Sequence, residues 1–223
     1  MIIAVTGVIG CGKSSLVKAL CECYPTAVPF YEPLPETDNF MLEVYYKDPA
    51  RYAYSMQTLL LSLRFQAQQE AQWRSLRGQL CIMDSTIYSD KAFLEVQREC
   101  GFIDELEYKA YCKLCEIHFG FLQYPDLLLH IDLDTTTEID RIRERSRDCE
   151  ADIDTGYLIK LRDAYNDLIP YLGSLFPVKH IDGRQSKQEV LQDAITLIEK
   201  RRGDMTATRF YPVYKHNTGV VYE

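Results

Sequence analysis

The chain has the pattern of an α/β protein, a three-layer sandwich in which helices cover both faces of a five-stranded parallel sheet. Five short apolar runs, Ile2–Thr6, Val28–Glu32, Leu80–Asp84, Leu127–Leu133 and Val178–Asp182, alternate with segments long enough for helices. That alternation predicts parallel strands joined by right-handed crossovers. The first run also enters a glycine-rich turn that opens a helix, as a ligand-binding α/β sheet requires. With 223 residues, 47% of them hydrophobic and 26% charged, the chain can bury one good core but hardly two.

Taken in order, Ile2–Thr6 is apolar without alternation, so it reads as a strand buried on both faces. It runs into Gly7-Val8-Ile9-Gly10-Cys11-Gly12-Lys13-Ser14, with Ser15 next, and a helix follows over Lys13–Leu20. Val28–Glu32 is the second strand, ending in a carboxylate before Pro33, and it is expected beside the glycine-rich loop. Pro49–Arg77 reads as one long helix, Leu80–Asp84 as a buried strand ending in a second carboxylate, and Ile103–Gln123 as another helix. Leu127–Leu133 and Val178–Asp182 complete the sheet. After Arg202 the pattern fails in "GDMTATRFYPVYKHNTGVVYE", so residues 1–202 are expected to form the domain and 203–223 a tail of unknown role.

Composition narrows the function. A formal charge of −8 argues against general nucleic-acid binding, which needs a basic face. The opening "MIIAV" lacks the basic and apolar regions of a secretory signal, and no run is long enough to span a membrane. Eight cysteines, one inside the glycine-rich loop and one in a buried strand, suit reduced thiols and a cytoplasmic location. Cys112-x-x-Cys115 has no second ligand pair at metal spacing, so buried helix positions explain it better than zinc.

The loop matches G-x-x-x-x-G-K-[ST] without a gap, between strand and helix as that pattern demands. It makes the fold one of the P-loop NTPase type. Backbone amides and the helix N-terminus would surround phosphates. Lys13 would sit on the β/γ oxygens of ATP or a related triphosphate, and Ser14 would bind Mg²⁺. Because open α/β sheets bind ligands beyond the carboxyl ends of their strands, Glu32 and Asp84 should converge on the γ-phosphate. Transfer to a hydroxyl needs one carboxylate to take the proton and another to organise the metal. Glu32 suits the first role and Asp84 the second.

From Met1 to about Arg201 these motifs, in this order, resemble the deoxynucleoside kinase family. The resemblance implies that Glu32, in Glu32-Pro33, activates the 5′-hydroxyl of a deoxynucleoside, and that Tyr46 in "VYYKDP" bonds the sugar 3′-hydroxyl. In "MQTLLLSLR" the family's glutamine and arginine fall on Gln57, beside Met56, and on Arg64. These two are seven residues apart and so share one helix face. Asp90 matches the family aspartate that partners that arginine in deoxycytidine and purine deoxynucleoside kinases, which implies those substrates over thymidine. The family's arginine-rich lid is similar to "RIRERSRDCE", over about 141–153. There Arg141, Arg145 and Arg147 match phosphate-clamping arginines and Glu150 a contact to the 3′-hydroxyl. Asp182-Gly183-Arg184 takes the place of the loop over the donor's base, in position only. A homodimer through helices beside the sheet, including Ile103–Gln123, is implied as well.

One departure stands out. Where the family follows its strand-three acid with arginine, this chain has Asp84-Ser85-Thr86. Serine carries neither the charge nor the reach of a guanidinium, so another cation, with the lid arginines as candidates, must compensate, or turnover is low. Two other readings therefore stay open: a catalytically weakened nucleotide-binding subunit, and a nucleoside monophosphate kinase, which would need extra cations for its acceptor.

Overall fold

The computed structural model describes residues 1–32, 40–145 and 153–207. Five strands, β1 (Ile2–Thr6), β2 (Val28–Phe30), β3 (Cys81–Asp84), β4 (Leu127–Asp132) and β5 (Val178–Asp182), form one sheet in the order β2-β3-β1-β4-β5. Every pairing is parallel. All residues of β1 and β3 are buried, as their unbroken apolar runs require of strands covered on both faces.

The order corrects one expectation. β2 pairs with β3 and not with β1, so the strand beside the phosphate loop is the one that ends in Asp84. The second run also stops pairing at Phe30, which leaves Glu32 two residues past the end of a short edge strand.

Eight α-helices are present among the described residues: α1 (Lys13–Cys23), α2 (Phe40–Lys47), α3 (Pro49–Leu76), α4 (Asp90–Glu99), α5 (Glu105–Phe119), α6 (Thr135–Arg145), α7 (Thr155–Leu175) and α8 (Lys187–Ala207). Their ends follow local chemistry. Asp48 caps α3 by accepting from Arg51 N, with Pro49 in the first turn, where its missing N–H costs nothing. Asp104 and Glu107 form a capping box at the start of α5. This trims the helix expected over Ile103–Gln123, and Gly120 closes it. α8 runs to Ala207, past the boundary expected at 202.

α3, of 28 residues, spans about 42 Å at 1.5 Å per residue, far longer than any strand it covers. Its C-terminal half lies against the sheet and leads into β3, so its N-terminal half must project beyond the strands' carboxyl edge. Ala53, Met56, Gln57, Leu60, Leu61 and Arg64 are buried along it, although the first part of this face has no strand beneath it. The cysteine pair Cys112 and Cys115 packs in the core.

Candidate active site

The loop after β1 takes its shape from glycines. At Gly7, φ is +151° and a Cβ would stand 2.7 Å from both the Ile131 carbonyl and Cys11 Sγ, so no side chain fits without moving backbone. Lys13, the first residue of α1, folds back and donates to the carbonyls of Gly7 and Val8, each at 3.0 Å. Burial raises the pKa of the Cys11 thiol, which keeps that sulfur neutral in the loop.

One residue along, Ser14 Oγ donates to Asp84 Oδ2 at 2.5 Å. The contact joins the start of α1 to the end of β3. Burial raises the pKa of Asp84, against the pull of Lys13 and the Ser14 bond. Its other oxygen, Oδ1, is buried without a hydrogen-bond partner among the described residues. A hydroxyl and a carboxylate with an unsatisfied oxygen are the hard donors that Mg²⁺ takes, so these residues fit that ion.

Glu32 approaches from the sheet edge and meets Arg64 of α3. Nε and one terminal nitrogen of Arg64 both donate to Glu32 Oε1, at 2.9 and 2.6 Å. The other terminal nitrogen binds Asp90 Oδ1, at the start of α4. Tyr111 of α5 donates to Asp90 Oδ2 at 3.3 Å. Burial pushes the Asp90 carboxyl up to about 7, with Arg64 pulling it down and Glu32 adding to the rise.

These groups border a cavity of about 920 Å³ beyond the carboxyl edge of the sheet. At its phosphate end are Ile9, Gly10, Gly12, Lys13, Ser14, Ser15 and Arg141; Asp84, Ser85, Glu32 and Arg64 line the middle; Tyr46, Met56 and Gln57 line the far part. Gly7, Val8 and Cys11 lie outside this lining, as the inner turns of the loop. Asp90, expected at the base edge, is also outside it: the residue is 1% exposed and stands behind Arg64.

Arg141, on α6, donates to the Gly183 carbonyl at 2.7 Å and to that of Cys11 at 3.5 Å. It thereby ties the phosphate loop to the loop after β5. Asp182 and Arg184 of that loop pair with each other, Nε to Oδ1 at 2.9 Å, away from the cavity lining. Arg145 ends α6, while Arg147 and Glu150, and with them most of the expected lid, lie outside the described residues.

Sequence reasoning missed several lining residues: Tyr31, Leu42, Tyr45, Leu60, Phe93, Gln97, Tyr157 and Tyr165. Phe93 and Gln97 sit three and seven residues after Asp90, on one face of α4, a spacing that could have singled them out. Gln97 Nε2 donates to Tyr45 OH at 3.1 Å, linking α4 to α2 across the far end. Tyr157 and Tyr165 come from α7, whose approach to the site has no local signal. Tyr165 packs beneath, stacked on His130 at 5.7 Å between ring centroids.

A family model for deoxynucleoside kinases matches residues 3–201. The deoxyadenosine kinase of Dictyostelium discoideum is 37% identical over 180 residues, 81% of this chain and 71% of that protein. The deoxyadenosine/deoxycytidine kinase of Bacillus subtilis is 30% identical, over 75% of this chain and 76% of its own length. Among solved structures, a deoxyadenosine kinase from M. mycoides with dCTP bound superposes with a TM-score of 0.79 at 23% identity, covering 90% of this chain and all of that one. At that identity the superposition speaks for the fold.

Proposed function

Because the chain belongs to the deoxynucleoside kinase family and is an ATP-dependent phosphotransferase acting on deoxynucleosides, we propose that Glu32 is its catalytic base and that its preferred acceptors are deoxycytidine and purine deoxynucleosides rather than thymidine. The observation that carries this reading is that Lys13, Asp84, Glu32 and Gln57 line one cavity. One cavity would then take the phosphates at Lys13, the metal at Asp84, the hydroxyl proton at Glu32 and the base at Gln57.

ATP would place its phosphates on the Gly7–Ser14 loop, with Lys13 turning from the loop carbonyls to the phosphate oxygens. Ser14 and Asp84 would hold Mg²⁺, which when bound screens phosphate charge and eases departure of ADP. Glu32 accepts the proton of the 5′-hydroxyl as that oxygen attacks the γ-phosphorus in line. Lys13 and Arg141 would spread the negative charge that develops on the moving group, with Arg145 and Arg147 of the lid region as further candidates.

The sugar would rest against Tyr46, with Glu150 bonding the 3′-hydroxyl as the family pattern implies. Gln57 presents donor and acceptor to the base's hydrogen-bonding edge, with Met56 beside it. An amide can pair with the edge of any of the four bases, so the preference over thymidine rests on the Arg64–Asp90 pair that the family pattern implies, together with relatives named for deoxyadenosine and deoxycytidine. In the cavity the acceptor side offers Arg64 as its guanidinium, and Arg64 is occupied by two carboxylates, which favours an uncharged acceptor over a nucleoside monophosphate.

A homodimer fits the surface. Leu59, Trp73 and Leu76 of α3, Ile117 of α5 and Phe121 just beyond it are exposed. The two helices touch through the edge-to-face contact of Phe65 with His118 at 4.4 Å, and exposed apolar side chains on both suit burial against a second copy. The seven cysteines described are all free thiols, which supports a reducing, cytoplasmic setting. No described helix is long and apolar enough to cross a membrane.

The deciding experiment measures transfer from Mg·ATP to deoxycytidine, deoxyadenosine, deoxyguanosine and thymidine, with Glu32→Gln beside the wild type. Transfer to the first three with little to thymidine is expected. Loss of roughly 10²–10⁴-fold in turnover is expected in the variant, with nucleoside binding retained. Near-normal turnover in Glu32→Gln removes the base assignment, and preferred transfer to thymidine removes the substrate assignment.

A further inference from the structure

We infer that Gln97 is a second amide that reads the nucleoside base, and that together with Gln57 it makes deoxyguanosine the acceptor the cavity fits best. The inference rests on the proposed function, which sets Gln57 at the base, and it narrows the acceptor class stated there.

The two amides are placed alike. Arg64 of α3 meets Asp90 of α4. Gln57 stands seven residues before Arg64 and Gln97 seven after Asp90, two helical turns or about 10 Å in each case. Both line the cavity, and Gln97 reaches Tyr45, on the helix just ahead of α3. The two glutamines therefore border the same space from different helices, among the apolar lining of Met56, Leu60 and Phe93.

Both are also left incomplete. Gln57 is 1% exposed and Gln97 3%, and the carbonyl oxygen of each is buried with no hydrogen-bond partner among the described residues. Gln97 spends its Nε2 on the Tyr45 hydroxyl, at 3.1 Å. That hydroxyl accepts a second bond from Tyr157, so its own proton is left to give. A tie between α4 and α2 needs the Gln97–Tyr45 bond alone. It does not account for the buried carbonyl oxygen beside that bond, a group that native interiors seldom leave unpaired.

The four bases answer this arrangement differently. The site offers a donor in the Gln57 amide nitrogen, two acceptors in the Gln57 and Gln97 oxygens, and a donor in the Tyr45 hydroxyl. Guanine presents O6, N1–H, the 2-amino group and N3 in succession, which is acceptor, donor, donor, acceptor. Adenine and cytosine carry their donor protons on a single nitrogen, and thymine has one N–H. Once Gln57 has paired with any of these three, the Gln97 oxygen faces a C–H or another oxygen. Guanine bound in this way leaves its N7 edge to Arg64, which also lines the cavity.

The test is the ratio of kcat/KM for deoxyguanosine to that for deoxyinosine, the same nucleoside without the 2-amino group. It is measured with Mg·ATP in wild type and Gln97→Leu, beside deoxyadenosine, deoxycytidine and thymidine. Wild type is expected to favour deoxyguanosine over deoxyinosine roughly 10–100-fold, as loss of a partner for a buried polar group does, and to favour it over the other three. Gln97→Leu should bring the ratio close to one. Equal use of deoxyguanosine and deoxyinosine by wild type, or preferred use of deoxyadenosine or deoxycytidine, overturns the inference and leaves the proposed function standing. Preference for thymidine removes the substrate reading beneath it as well. A ratio that persists in Gln97→Leu while every nucleoside falls together makes Gln97 a tie between helices and overturns the inference too. The wild-type comparison needs no variant, so it decides the matter even if Gln97→Leu folds poorly.

Discussion

Glu138, in the first turn of α6, is fully buried, with neither carboxylate oxygen bonded to any described residue. Burial pushes its pKa up to about 8 from the usual 4.5, although Lys13 and Arg162 pull it down. A carboxyl that keeps its proton in the folded chain while the unfolded chain releases it makes stability fall with rising pH. The loss begins near pH 4.5, where the unfolded chain ionises, and levels off above pH 8, where the folded chain ionises too. Each tenfold change in proton affinity is worth about 1.4 kcal/mol, so the displacement costs the folded protein at most about 5 kcal/mol above pH 8, and less if the site relaxes or admits water. Glu138→Gln cannot ionise. Urea or thermal unfolding of both proteins from pH 4 to 9 should show the variant gaining on the wild type through this window and holding its lead beyond it. Since about 1 kcal/mol moves Tm by about 2–4 °C in a chain of this size, the gain should reach several degrees. A difference independent of pH would mean that Glu138 is ionised in the folded protein, by a partner among residues the structure does not describe, and the reasoning would fall.

Gly7→Ala should fold but lose at least about tenfold in ATP affinity by calorimetry, because its Cβ meets the Ile131 carbonyl at 2.7 Å and displaces the amides that surround phosphate; unchanged affinity would show that the loop has room. Asp84→Asn should shift the Mg²⁺ requirement upward, with activity partly recovered at high Mg²⁺, and an unchanged magnesium titration would remove Asp84 from the metal site. Trp73→Asp combined with Phe121→Asp should give monomers in sedimentation if the exposed faces of α3 and α5 join two copies, whereas an intact dimer would place the interface elsewhere.

What could be read in the sequence follows the range of the interactions. The phosphate loop, the strand before it and the helix from Pro49 are written in contiguous residues, in turn chemistry and in apolar runs, and the structure has them where the pattern puts them. Strand order is a tertiary property: nothing within Val28–Glu32 says that it pairs with β3 instead of β1. The Arg64–Glu32 contact joins residues 32 positions apart, and a family pattern that assigns Arg64 to the base conceals it. The ends of α5 shifted by two and four residues where capping, at Asp104 and Gly120, outweighed periodicity. Phe93 and Gln97 were visible as the continuation of the Asp90 face, whereas Tyr157 and Glu138 become notable only once α7 and α6 are packed against the site.

β2 is three residues long, paired on one side alone, and partly exposed along its length. Such an edge opens locally at a free energy well below that of the whole domain, so the amides of Val28 and Phe30 should exchange with solvent sooner than those of β1 and β3. Glu32, the proposed proton acceptor, therefore hangs from the part of the sheet that detaches most easily. Observed turnover is then the intrinsic rate multiplied by the fraction of molecules with this edge closed, and on warming that fraction falls before the core begins to melt.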